Sequence, residues 1–156
     1  MAVLGVGQAL CADDAAGVLV ARHLRPAAHR LVIDGGPAPE NYAGALLDFA
    51  PDLILMVDAA RMDAPPGTVA WIPLDDVGGF SGSSHTLPLR VLAQYLSLHT
   101  AAEIALIGIQ PDVTQFDAEP TQPVLDAVAE VIATLALSPV QLESAAISGT
   151  TSGSCA

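Results

Sequence analysis

Four short apolar runs set the fold. AVLGV at 2–6, HRLVID at 29–34, DLILMVD at 52–58 and EIALIGI at 103–109 each stop at, or just before, a glycine, an aspartate or a glutamine. Helical spacing fills the gaps between them. Val18, Leu19, Ala21 and Leu24 recur in a segment at 15–24, and Tyr42, Leu46 and Phe49 share one side of 40–49. A helix is expected at 89–99. Another is expected at 122–137, with Val124, Ala127, Val128, Val131, Ile132 and Leu135 on its inner face. Apolar strands that alternate with amphipathic helices must cover both sides of their sheet, and a parallel sheet does so with crossover helices. A further run, GTVAWI at 67–72, follows a Pro-Pro-Gly turn after a short connection. A connection that short is too tight for a parallel crossover, so this strand is expected antiparallel and at an edge. The expected architecture is an α/β three-layer sandwich, with about five strands in a mostly parallel, twisted sheet and helices on both faces. It forms a single domain over 1–137. Residues 138–156, ending ISGTTSGSCA, lose periodicity and are expected to be a partly disordered tail.

Charge removes one class of function. The chain has five arginines, no lysine and 17 acidic residues, for a net charge of −12, so a phosphate backbone is repelled and nucleic acid is not an expected partner. No apolar run approaches the ~20 residues a bilayer requires, and no basic segment precedes the first strand. Neither a membrane span nor a signal peptide is expected. Two cysteines, Cys11 and Cys155, make no disulfide framework, and a cytoplasmic protein is expected. No long apolar stripe is left over after the sheet is packed, so a monomer is expected.

In open α/β sheets, sites lie beyond the carboxyl ends of the strands. Here those ends carry acids. The first strand leads to Asp13 and Asp14, the second ends in Asp34 and the third in Asp58, while the loop before the 89–99 helix carries His85. Carboxylates gathered on one rim repel one another unless some are protonated or a cation joins them. A histidine among them makes a metal the simplest answer. The same opening, GVGQALCADDAAG, imitates a dinucleotide-binding turn through Gly5 and Gly7, and Asp34 imitates its ribose-binding acid. Leu10 holds the third glycine position, however, and acids fill the helix start where a pyrophosphate needs positive potential. The nucleotide reading is set aside.

Asp13 is expected to cap the helix or support the loop rather than to bind metal. Cys11 is expected to be a small buried thiol, not a nucleophile. Asp34 could equally tie down the Gly35-Gly36 turn. Gln110 and Asp112 in GIQPD are expected to line the cleft; the alternative is a strand-end turn fixed by Pro111.

GVGQALCADDAAG resembles the opening G-x-G-N-x-L-x-x-D-[DE] element of the hydrogenase maturation endopeptidases. VIDGGPAPEN, MVDAA, PPGTVAWI, SSHTLPL, LIGIQPD and TQPVLDAVAEV follow in that family's order, from about Val3 to Leu137. GIQPD and TQPVLDAVAEV are similar to the type that processes the large subunit of hydrogenase 3. Gln8, Cys11 and Ala15 depart from the family pattern.

The resemblance implies an endopeptidase that removes a short C-terminal peptide from the nickel-loaded precursor of a NiFe hydrogenase large subunit. It implies Asp14, Asp58 and His85 as metal ligands, with Asp14, Asp34 and Asp58 as the catalytic acids. Asp34 and Gln110 are the expected substrate contacts. The metal is a divalent ion, nickel supplied by the substrate, for which another divalent ion can substitute in a crystal. A metal-activated water, or Asp14 or Asp34 as general base, would then serve the attack. The alternative is a non-catalytic chaperone that captures nickel or the precursor with the same residues.

Overall fold

A computed structural model describes residues 1–73 and 86–137. The elements run β1 (Ala2–Val6), α1 (Ala16–His23), β2 (Leu31–Gly36), α2 (Ala43–Phe49), β3 (Leu53–Ala59), β4 (Val69–Pro73), α3 (Thr86–His99), β5 (Glu103–Ile109) and α4 (Gln122–Ala136). Single 3-10 turns at Ala12–Ala15 and Pro39–Tyr42 lead into α1 and α2.

Among the described residues the sheet has five strands in the order β2-β1-β3-β5-β4. β1 pairs parallel with β2 and β3, and β3 parallel with β5. β4 runs antiparallel along the outer side of β5, as its short connection requires. The strands alternate apolar side chains between two cores. On one face Leu4, Val6, Ile33, Ile54, Met56 and Leu106 pack with Leu46 of α2 and Leu89, Leu92 and Leu96 of α3. On the other face Val3, Leu55, Val57, Ile107 and Ile109 pack with Ala16 and Val20 of α1 and Val124, Val128 and Val131 of α4. Both faces of the central strands are therefore apolar, and three layers result.

Local departures from the sequence reading have local causes. β2 starts at Leu31 instead of His29 because Ala27 and Arg30 close a tight turn through two backbone hydrogen bonds. Arg30 is buried there, and its guanidinium donates to the carbonyls of Arg25 and Leu135. On α4, Ile132 is half-buried at the margin of the inner face. Tyr42 falls in the 3-10 turn and is exposed, so it does not share the buried side of Leu46. No helix among the described residues is long and apolar enough to cross a membrane. The expected tail at 138–156 and the segment at 74–85, with His85, lie outside the described residues.

Candidate active site

The opening glycines seat a helix on the strand ends. A Cβ on Gly17 would stand 2.0 Å from the Val57 carbonyl oxygen and 2.4 Å from that of Val6, closer than any real contact. A Cβ on Gly5 would collide with the Gly17 carbonyl at 2.0 Å and with the Ala21 side chain at 2.7 Å. Gly7 adopts φ +134°, and a Cβ there would lie 1.9 Å from the Asp14 carbonyl oxygen. The three glycines thus let α1 and its preceding 3-10 turn press onto β1 and β3. The glycine pattern that imitates a phosphate loop serves close backbone packing here.

That packing places Asp14 at the carboxyl edge. It is buried, 8 % exposed, and its Oδ2 accepts a 2.8 Å hydrogen bond from the Gln8 N–H, while its own N–H donates to the Cys11 carbonyl. Gln8 therefore contributes through its backbone, which a glutamine supplies as well as an asparagine. Asp58 is 1 % exposed at the end of β3. It follows Val57, whose carbonyl meets Gly17, one helical turn from Asp14. The structure thus brings both acids to the junction of β3 with the α1 turn. Asp58 faces the side of the sheet that α3 covers, in line with Ile54 and Met56. α3 begins at Thr86, immediately after His85 in the chain. His85 itself falls outside the described residues, and among those described no group of three or more His, Cys, Asp or Glu side chains is placed to hold a metal ion.

Asp34 stands apart. Gly5 is level with both Asp34 and Val57, so these residues share the α1 face, while Asp58 points to the opposite face. Asp34 is half-buried. Its Oδ2 accepts a 2.7 Å hydrogen bond in an ion pair with Arg22 of α1, and its Oδ1 accepts one of 3.2 Å from the Gly36 N–H. The Gly36 carbonyl in turn accepts from Gly7 N–H. Asp34 therefore ties down the second glycine turn and, through it, the first. It does not join Asp58 in a carboxylate pair.

Gln110 is also engaged within the chain. Its Oε1 accepts from the Met62 N–H at 2.6 Å, and its Nε2 donates to the Pro111 carbonyl at 3.0 Å. The carboxamide, 9 % exposed, fastens the β3–β4 connection to the end of β5 instead of pointing free into a cleft. Asp112 is exposed. Cys11 is half-buried, and forms a short parallel bridge with Ala118 through the backbone.

Asp13 is fully buried and supports a loop. Its two oxygens accept from the N–H groups of Asp112 (2.9 Å), Val113 (3.0 Å) and Thr121 (2.6 Å), and from the Thr121 hydroxyl (3.0 Å). No side-chain bond caps the turn it belongs to, so the capping alternative does not hold. Thr121 is the partner the sequence reading missed. A threonine just before Gln-Pro reads as a helix N-cap, but its side chain makes no cap bond to α4 and turns to Asp13 instead.

Fold and rim together define a protein of the three-layer α/β class, with buried acids at the carboxyl edge. Comparison with known proteins makes this specific. The family model described as HycI, hydrogenase maturation protease, matches residues 18–137. The hydrogenase 3 maturation protease of Escherichia coli K12 is 39 % identical over 132 residues, covering 83 % of this chain and 84 % of that one. A putative hydrogenase maturation protease of Methanocaldococcus jannaschii is 32 % identical over 126 residues, 74 % of this chain and 75 % of its own. Among solved structures, the crystal structure of a NiFe hydrogenase maturation protease HycI from Thermococcus kodakarensis KOD1 superposes with a TM-score of 0.78. It has 34 % identity and covers 86 % of this chain and 88 % of that one. The chain belongs to the hydrogenase maturation protease family.

Proposed function

We propose that this endopeptidase removes a C-terminal peptide from the precursor of a NiFe hydrogenase large subunit, and that the nickel already in the precursor is the ion its acids meet. The observation that carries the reading is the burial of two carboxylates, Asp14 and Asp58, against the same glycine-seated junction. With His85, the residue just before α3 in the chain, they would offer two oxygen donors and one imidazole, a set suited to a divalent transition metal. Three protein ligands leave room on such an ion for a water or a carbonyl oxygen, which the ion polarises as a Lewis acid.

The protein's own groups do the rest. Water adds to the scissile carbonyl carbon as its proton passes to the Asp14 carboxylate. The carbon–nitrogen bond then breaks, and the leaving nitrogen takes up the proton that Asp14 received, which restores the carboxylate. Asp58 holds its charge towards the ion from the α3 side. Asp34, on the α1 face with Arg22, positions the substrate chain, while Gln110 fixes the shape of the wall beside it. In this reading the chain works as a monomer in the cytoplasm.

The test is cleavage of the large-subunit precursor, with and without inserted nickel, read by mass spectrometry. Loss of a C-terminal peptide from the nickel-loaded form alone is the expected result. Asp14→Asn, Asp58→Asn and His85→Ala are each expected to lower processing at least about 100-fold while leaving the circular dichroism spectrum unchanged. Native rates in all three variants would sink the assignment of these ligands. Equal cleavage of nickel-free precursor would sink the role of the substrate's metal.

A further inference from the structure

The hydroxyl at the start of α4 does not cap α4. Thr121 is the residue before the helix, and its carbonyl accepts the first helical bonds from the N–H groups of Val124 (3.1 Å) and Leu125 (3.0 Å). A threonine in that place ordinarily turns its hydroxyl to the N–H of the second or third helical residue. Here the second is Pro123, which has no N–H, and the third is Val124, whose N–H the Thr121 carbonyl already takes. The hydroxyl instead donates to Asp13 Oδ2 at 3.0 Å. The start of α4 is also fixed from its far side. A Cβ on Gly67, at φ +80°, would lie 2.4 Å from the Pro123 carbonyl oxygen, so the turn before β4 presses on the first turn of the helix.

The turn that receives this hydroxyl also carries Asp14. Asp13 and Asp14 are successive residues of the single 3-10 turn Ala12–Ala15; one reaches to the loop after β5, and the other takes the Gln8 N–H. The turn has no side-chain cap. It is entered through Ala12 at a left-handed φ of 46°, which a residue with a side chain holds only where its surroundings fix it. The Asp13 carboxylate supplies that fixing. It draws together Asp112 and Val113 at one end of the loop and Thr121 at the other, and the Asp13 N–H returns a 2.9 Å bond to the Val113 carbonyl. Three of its four donors are backbone N–H groups, which every residue except proline supplies. The Thr121 hydroxyl is the donor that depends on a side chain, so it is the one through which residue identity at the start of α4 reaches the turn.

We propose that Thr121 is a positioning residue for the cleavage: its hydroxyl, acting through Asp13, sets the place of the Asp14 carboxylate at the rim. This rests on the processing function proposed above, in which Asp14 receives the proton of the attacking water. Thr121 touches neither the substrate nor the reacting atoms. Without its hydroxyl, Asp13 keeps three N–H donors and the fold persists, but the turn is held less tightly on its α4 side. A reacting group displaced by a fraction of an ångström slows the chemical step, while substrate binding elsewhere on the chain stays as it was.

The experiment compares the wild-type chain with Thr121→Val, which keeps nearly the same shape without the hydroxyl, and with Thr121→Ser, which keeps the hydroxyl. Cleavage of nickel-loaded precursor gives kcat and KM. Amide hydrogen exchange of the free chain is read at Gln8, whose N–H meets Asp14, and at positions 54–57 of β3, which report overall stability. Thr121→Val is expected to lower kcat about tenfold with KM within about a factor of two. In the same variant exchange at Gln8 is expected to quicken about tenfold relative to β3. Thr121→Ser is expected to recover both. An unchanged kcat in Thr121→Val, or a rise in KM alone, overturns the positioning role while the processing function stands. Equal quickening at Gln8 and in β3 overturns it too, because the hydroxyl would then serve stability alone. So does a serine variant no better than valine, or a Gln8 amide that exchanges as in the wild type. Absence of cleavage by the wild-type chain overturns the processing function and the positioning role with it.

Discussion

In the pair Asp13-Asp14 the first acid is structural and the second is the one proposed to do chemistry, and burial alone does not distinguish them. What marks Asp13 is the set of donors it meets inside the chain. Asp13 accepts from three backbone N–H groups and one hydroxyl and is a structural anion. Removing it would strand those donors in a buried site, at about 1–3 kcal/mol for each group left unsatisfied. Asp13→Ala is expected to lower stability by about 3–5 kcal/mol in urea unfolding, with Asp13→Asn falling between it and wild type. An Asp13→Ala protein that unfolds at the wild-type midpoint would show that the clamp does not hold the loop. The supporting role of Asp13 was legible in the sequence in kind, because one acid of the pair had to serve the turn. The partners were not, since Asp112, Val113 and Thr121 lie about a hundred positions away and nothing local to either segment marks the pairing.

At the scale of elements, the packing of α1 on β1 and β3 depends on absent side chains. The Cβ of alanine at position 17 would overlap two carbonyl oxygens, so α1 would have to lift away from the sheet. Gly17→Val is expected to cost more than about 3 kcal/mol and to abolish processing, because Asp14 rides on the turn that would move. The check is thermal melting together with the cleavage assay. A variant that melts as wild type and cleaves normally would mean that α1 is not seated as described. Most elements were readable from period and punctuation: strands that stop at glycine or aspartate, and a Pro-Pro-Gly turn before an edge strand. Side-chain direction was harder to read. Asp34 and Asp58 both end strands, and only the register of β2 on β1 and of β1 on β3 shows that they face opposite ways. Gln110 likewise sits at a strand end, and only the fold of the β3–β4 connection reveals that Met62 takes its carboxamide oxygen.

Across the whole molecule, protection should follow depth in the sheet. β1 and β3 are flanked on both sides by other strands and on both faces by helices, whereas β4 is an edge strand with Trp71 half-exposed. Native-state hydrogen exchange is expected to be slowest for the amides of β1, β3 and β5 and faster by at least about tenfold along β4 and in α2. Uniform protection across all five strands would contradict a core centred on β1 and β3.

The pleat that turns Asp34 from Asp58 makes the sheet a partition. The two acids belong to strands on either side of β1, two interstrand spacings apart, about 10 Å. No single pocket on one face serves both. A substrate chain that touches both must pass over the crest of β1, straddling it from one flank to the other. An extended peptide covers that span in about three residues. The crest would then work as a ruler: shortening the precursor by a residue within that stretch would leave one of its ends short of its acid, however well the remaining side chains fit.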